Sequence, residues 1–280
     1  MTGRADERPR WRAEAIAVWG YVQRNYFLTK RYFMWEVVWL VYITANALAI
    51  TYIGAGAEEF GSGIDTARLM TFLLIGALVW SYLSVLFDVL SETVSWERWE
   101  GTIEYTFMSP ASRVTHLLGM GLYAVLYGIV QISVMLGAVS LFFELDLSRA
   151  NYAGALLVLG VASVSLVGFG IMAAVLPLLS PEKGQQVSYI VSSVLLLVSG
   201  VYYDVEVLPG WMQFVAKFSP VTYALEGIRA ALLDGAGPAE LGESVLVLLV
   251  MGVAFVPLGL FVFHLGERYA KRTGKLKRSG

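Results

Sequence analysis

The chain contains no cysteine and only two histidines among its 280 residues. Without cysteine there is no disulfide framework, no thiolate metal site and no thiol nucleophile. His116 and His264 are far apart, with no metal-ligand spacing, so each reads as an ordinary helix-end or packed residue. Charge is scarce as well: Asp, Glu, Lys and Arg make up 15% of the chain, against about 25% in ordinary soluble domains. No G-x-x-x-x-G-K-S/T run occurs, because Gly274-Lys275 is followed by Leu276 and Gly184 follows Lys183 instead of preceding it. ATP hydrolysis through a P-loop of the chain's own is therefore excluded. H-E-x-x-H and G-x-S-x-G are absent too, and no catalytic set emerges.

What is plentiful is apolar: 57% of the residues are hydrophobic, which predicts an all-α membrane protein. With about 20 apolar residues needed to cross the hydrocarbon core, six transmembrane helices are expected, at about 32–53, 69–90, 114–142, 152–179, 185–203 and 243–265. Before the first, Trp11, Ala15, Trp19, Val22 and Tyr26 recur at helical spacing among basic residues. Residues 1–31 thus read as a cytoplasmic segment with an amphipathic helix lying in the membrane interface. Gly54-Ala55-Gly56-Ala57 resembles a signal-cleavage site, but the apolar run before it is too long for a signal peptide and the chain is expected to keep it. The transmembrane domain then covers 32–280, with a basic tail at 266–280.

The cations set the orientation. Of the 20 Lys and Arg, seven precede residue 32, Arg98 and Arg113 flank the segment after the second span, Lys183 lies between the fourth and fifth, and six follow residue 265. Only Arg68, Arg149, Lys217 and Arg229 remain for the other face. The positive-inside rule puts both termini in the cytoplasm of a cell inner (plasma) membrane.

Two polar segments interrupt the apolar runs. From Glu92 to Arg113, Trp96, Trp99, Ile103 and Phe107 fall on one helical face, with Glu97, Glu100 and Glu104 as an acidic stripe beside it. Gly101 disfavours a continuous helix. Two short helices jointed at Gly101-Thr102 are expected, with Ser109-Pro110 starting the next long helix as N-cap and first residue. Such an elbow has an apolar face that either docks another protein or lies on lipid. The second segment, 204–242, mixes Trp211, Phe214 and Phe218 with Pro209, Gly210 and Pro220 and is too broken to span. It reads as a re-entrant or interfacial helical hairpin before the sixth helix.

The run E-R-W-E-G-T-I-E-Y-T-F-M-S-P-A-S-R, from Glu97 to Arg113, resembles the cytoplasmic signature of ABC-2 type transporter permeases. Ser199 to Met212 and Ser219 to Arg229 resemble the same family's segment before the last span, except that Asp204 stands where members commonly have Pro. The resemblance implies a membrane subunit of an ATP-binding cassette exporter for a drug, antibiotic, lipid or polysaccharide. It implies an ATPase-coupling elbow at Glu97, Arg98, Trp99, Glu100, Gly101, Thr102, Glu104 and Phe107. An extracellular gate hairpin is implied at Pro209, Trp211, Phe214, Phe218, Pro220 and Glu226. The expected partners are two copies of an ATPase subunit, a second permease copy (identical or paralogous) and membrane lipid, with no nucleic acid. This chain is expected to bind no cofactor, ATP and Mg belonging to the ATPase, and to be no enzyme by itself.

Ionisable residues inside spans are functional candidates, and Asp88 and Glu36 qualify. Each lies about one turn from the cytoplasmic interface, so each is expected to reach it or to pair with a nearby basic residue, a proton relay being the alternative. Tyr123, Tyr127, Phe142 and Phe143, with Gly119, Gly121 and Gly128, either line an apolar passage or face lipid and neighbouring helices. An ion-coupled secondary transporter and a non-transporting scaffold subunit are the rival functions.

Overall fold

The computed structural model describes residues 10–57, 65–109, 111–143, 148–180 and 183–273, and among them all regular structure is helical. In chain order the helices are α1 (Arg10–Arg31), α2 (Phe33–Ala55), α3 (Thr66–Glu100), α4 (Ile103–Met108), α5 (Arg113–Val139), α6 (Tyr152–Ala173), α7 (Val175–Leu179), α8 (Gly184–Val198), α9 (Gly210–Ala216), α10 (Pro220–Leu233) and α11 (Pro238–Arg272). Five segments are long and apolar enough to cross a membrane by length and composition: α2, α3, α5, α6 with α7, and α11. The expected span at 185–203 is instead the shorter α8, which Gly200 (φ 72°) ends in the left-handed region that glycine favours.

The other boundaries have local causes. Asp65, Ser112 and Asn151 cap α3, α5 and α6, each accepting a backbone N–H three residues on. The expected start of the third span at Ser109-Pro110 is corrected: Ser112 caps α5, while Ser109 is extended (φ −61°, ψ 142°) and ends α4. Pro110 itself lies outside the described residues, as do the loop acids Glu58, Glu59, Glu144 and Asp146 and the tail beyond Thr273. The expected single helix at 152–179 breaks at Ala174. Pro177 has no N–H to give the carbonyl four residues back, and its ring crowds that carbonyl.

Helix α3 is the axis of the bundle, packing against α2, α5, α6, α7, α8 and α10. Its 35 residues extend roughly 52 Å at 1.5 Å per residue, well beyond a hydrocarbon core of about 30 Å. Around one half of it, Val79, Leu83 and Leu86 pack with Leu166 of α6, Leu225 of α10 and Leu248 of α11. Around the other half, Leu90 and Val94 pack with Ile103 of α4, Leu117 of α5, Leu178 of α7 and Phe263 of α11. Helices α6 and α11 cross at glycines: a Cβ on Gly168 would meet the Val256 backbone nitrogen at 2.5 Å, so only hydrogen fits.

Helix α1 docks on α5 through Val18, Tyr21, Val22 and Asn25, and Gly119 allows the close approach. Trp11, Trp19 and Tyr26 point away from the bundle. The expected apolar stripe is thereby divided, because Val22 turns inward and the aromatics stay outside.

Candidate functional site

The elbow is built on a helix end. Gly101 adopts φ 74°, ψ 17° after Glu100, the Thr102 N–H donates to the Glu97 carbonyl (2.8 Å), and the Gly101 N–H donates to the Arg98 carbonyl (3.1 Å). These two bonds and the left-handed residue form a Schellman motif, which explains why glycine stands there. The joint lies at Gly101-Thr102, but its first arm is not a separate short helix: it is the last turns of α3. The chain then reverses into α4.

That reversal breaks the helical register read from the sequence. Trp96 and Trp99 are exposed, in edge-to-face contact at 5.4 Å, whereas Ile103 is fully buried. Trp96, Trp99 and Ile103 thus share no single face, because helical phase does not carry through a left-handed residue. The acidic stripe divides too. Glu104 is exposed, whereas Glu97 is 2% exposed and turned into the bundle. One Glu97 oxygen receives Arg24 of α1 (2.9 Å) and the Thr106 hydroxyl of α4 (3.0 Å), with His116 Nε2 of α5 at 3.1 Å. Arg24 also donates to Thr102 (3.0 Å) and lies 3.8 Å from Glu100.

Around this knot, Arg113 donates to the Thr106 carbonyl (2.6 Å) and to Glu267 of α11 (3.3 Å), while Lys271 lies 2.6 Å from the same Glu267 oxygen. The Thr115 hydroxyl reaches Glu14 of α1. Arg98 is buried and donates to the Leu178 carbonyl at the end of α7 (3.3 Å). The two arms of the elbow are therefore bonded to α1, α5 and α7, and Arg113 of α5 links them on to Glu267 of α11. What remains outward is Trp96, Trp99, Glu104, Tyr105 and Met108. The Phe107 side chain lies outside the described residues.

At the other end of α3, the chain leaving α8 and helix α10 enclose a cleft of about 380 Å³. Thr222, Leu225, Glu226 and Arg229 line it from one face of α10, and Ser199, Tyr203, Asp204 and Glu206 line it from across. Arg229 closes the end of α8, donating to the Gly200 (2.7 Å) and Val201 (2.6 Å) carbonyls, with its guanidinium 3.5 Å from the Phe72 ring centre. Burial lowers the Arg229 pKa to about 10 against the opposing pull of Asp204 and Glu226, so it remains a cation at neutral pH. Partial burial, with Glu243 nearby and Arg229 opposing, pushes the Glu226 carboxyl above its usual range. Asp204 has φ −74° and ψ 140°, a conformation proline also adopts. Pro209 precedes α9 and Pro220 occupies the first turn of α10. Trp211, Phe214 and Phe218 are all exposed, the two phenylalanine rings meeting edge to face at 5.3 Å.

The sequence family model for ABC-2 type transporters matches residues 17–233, more than three quarters of the chain and both segments just described. The chain belongs to the ABC-2 type transporter family. A curated relative, the daunorubicin resistance ABC transporter permease protein DrrB1 of Streptomyces coeruleorubidus, is 29% identical over 162 residues, 56% of this chain and 54% of that protein. The match thus spans about half the length of each.

In this ABC-2 type transporter the two in-span acids are not brought together. Glu36 accepts from the Tyr127 hydroxyl, so its partner is a phenol and not the expected basic residue. Asp88 Oδ1 is buried and has no hydrogen-bond partner among the described residues. Sequence reasoning passed over Arg24, Thr106, His116 and Glu267. Arg24 was counted only as a topogenic cation, and Glu267 was hidden in a basic tail. The available signal was a lone acid at the end of the last span and a lone arginine on the inner face of α1.

Proposed function

We propose that this chain is the membrane-spanning subunit of an ATP-driven exporter, powered by ATPase subunits docked on its elbow. The carrying observation is the elbow: an exposed aromatic and acidic surface on a turn bonded to α1, α5 and α7. A docking surface needs both parts, apolar area for affinity and charge for orientation. Family membership and a relative named for daunorubicin resistance support the reading, with an amphipathic or hydrophobic compound as the proposed cargo. Two permease copies with two ATPases form the working unit; ATP and Mg sit on the ATPases, since no Walker A run occurs in this sequence.

Both termini and the elbow are cytoplasmic in this reading, which requires six crossings. The course of α8 supports the sixth. Its first residue, Gly184, packs on Pro177 of α7, close to where Arg98 of α3 meets Leu178, and Val201 beyond its end packs on Gly76 of α3. Helix α8 has 15 residues and rises roughly 22 Å, so with the turn to Val201 it approaches the hydrocarbon core of about 30 Å. The cysteine-free chain makes the test clean. An impermeant thiol reagent on intact cells should label Lys217→Cys and leave Glu104→Cys unlabelled. Labelling of both from outside rejects this topology.

Docking is tested by co-purification with a co-expressed ATP-binding cassette ATPase subunit. Trp99→Ala should weaken recovery, since truncating a central aromatic contact costs about 1–3 kcal/mol. Glu104→Lys should weaken recovery or uncouple hydrolysis from export, and Lys277→Ala in the tail should do neither. Equal recovery and equal coupling in all three would assign the elbow surface to lipid.

A further inference from the structure

Helix α2 packs through Ala47, Thr51 and Gly54, with Gly54 lying against the Met70 backbone of α3. A second side of the same helix is bare: Trp35, Trp39, Tyr42, Asn46, Ala49 and Ile53 are all exposed. The apolar members of that set need no partner, because lipid tails are as apolar as they are. Asn46 does. It is the fourteenth of the 23 residues of α2, roughly 3 Å from the helix midpoint, at a depth where no water reaches a polar group. One amide N–H donates to the Tyr42 carbonyl (2.8 Å), and Oδ1 accepts from nothing among the described residues. Ser133 of α5 and Ser193 of α8, also exposed, each donate their single proton to a carbonyl of their own helix. The amide keeps a second N–H and its oxygen after its local bond.

The spacing of the bare side says what fits there. Its six residues recur at intervals of 4, 3, 4, 3 and 4, the 3.5-residue period of a seam between two parallel helices. Within such a seam a single asparagine fixes register and favours two strands. Ala49, one turn on, is small enough for a close approach. Two copies of one chain share their orientation in the bilayer, so their symmetry axis runs along the membrane normal and α2 meets its counterpart in parallel. Each Asn46 then finds the other at its own depth, and an amide, being donor and acceptor at once, is complementary to itself. We propose that α2 pairs with α2 of a second copy of this chain along this seam, the two Asn46 amides exchanging hydrogen bonds at the centre of the bilayer. This names a contact within the two-permease unit and rests on that part of the exporter reading above.

The test uses the full-length chain in phosphatidylethanolamine–phosphatidylglycerol vesicles without ATPase, carrying one dye on Lys277→Cys in the tail. Counting one-step and two-step photobleaching as the chain is diluted in lipid gives the dimer association constant. Asn46→Leu should lower that constant by about three- to thirtyfold, the range of an interhelical hydrogen bond in a membrane. Ser133→Ala, which removes an exposed hydroxyl already satisfied within its own helix, should leave it unchanged. Without the dye site, the cysteine-free background allows a second readout that needs no loss of stability. Under copper-phenanthroline oxidation Asn46→Cys should give a covalent dimer and Ser133→Cys should not. A monomeric wild type, equal association for wild type and Asn46→Leu, or no covalent dimer from Asn46→Cys would overturn the pairing and leave this side of α2 to lipid or cargo. Unchanged association in Asn46→Leu with ATP-driven export intact defeats the seam and leaves the exporter standing; an Asn46-dependent dimer that recruits no ATPase does the reverse.

Discussion

Glu97→Ala should destabilise the purified chain by about 3 kcal/mol, the low end for breaking a buried ion pair, whereas Glu104→Ala should leave its melting midpoint unchanged. Both residues belong to the same acidic stripe in the sequence, so the contrast tests the structure and not the motif. Removing Glu97 leaves His116 buried and Arg24, whose side chain is 28% exposed, facing an empty carboxylate site. The partial exposure of Arg24 is why the low end of the range applies, since water re-solvates it. The Thr106 hydroxyl loses its acceptor as well, and α4 loses a tie to α3. Glu97→Gln should fall between the two, because an amide oxygen still accepts from Arg24 and Thr106 but carries no charge. The same variants should separate mechanics from docking. Glu97→Ala is expected to retain ATPase association through its outward aromatics and to lose coupling of hydrolysis to export. An unchanged midpoint for Glu97→Ala would show that the knot carries no stability and that α1 is held by apolar packing alone.

Gly76→Ala should be comparably damaging, at about 1–3 kcal/mol or more for forced overpacking. A Cβ there would lie 2.0 Å from the Val201 carbonyl oxygen and 2.8 Å from an Arg229 nitrogen. Neither neighbour can move cheaply. The carbonyl belongs to backbone that Arg229 itself holds, and Arg229 is fixed by the Phe72 ring and the Gly200 carbonyl. One methyl group is therefore expected to detach the end of α8 from α3, open the cleft and expose residues 199–208 to protease. Gly137→Ala is the control: a Cβ there meets nothing within 4 Å, so the change removes a helix-disfavouring glycine worth up to about 1 kcal/mol. Equal protease resistance in wild type and Gly76→Ala would mean that the α8 end is free to shift.

The candidate sites were legible to different depths. The joint at Gly101-Thr102 was readable because a glycine inside a helical pattern is a local signal. The direction in which each side chain around it points was not. Glu97, Glu100 and Glu104 look alike at helical spacing, but the left-handed residue between them rotates α4 out of phase with α3, and of the three only Glu97 accepts a hydrogen bond from Arg24, which lies 73 positions away in the chain. The single apolar face drawn through Trp96, Trp99 and Ile103 failed for the same reason. In the outer segment, Pro209 and Pro220 marked where helices start.

Composition, a sum over the chain, determined by itself that this is a helical membrane protein. Glycine and proline, acting through φ and a missing N–H, and the capping side chains Asp65, Ser112 and Asn151 determined several of the places where helices start and stop. The tertiary structure alone decided which faces are inside. In a membrane protein lipid-facing and core-facing residues are both apolar, so periodicity cannot tell Trp99 from Ile103 or the exposed side of α2 from the buried side of α3. It also decided where the charges go. The bonds that join α1 to the elbow and α10 to the end of α8 connect residues distant in sequence, and no local pattern records a partner that folding brings from elsewhere.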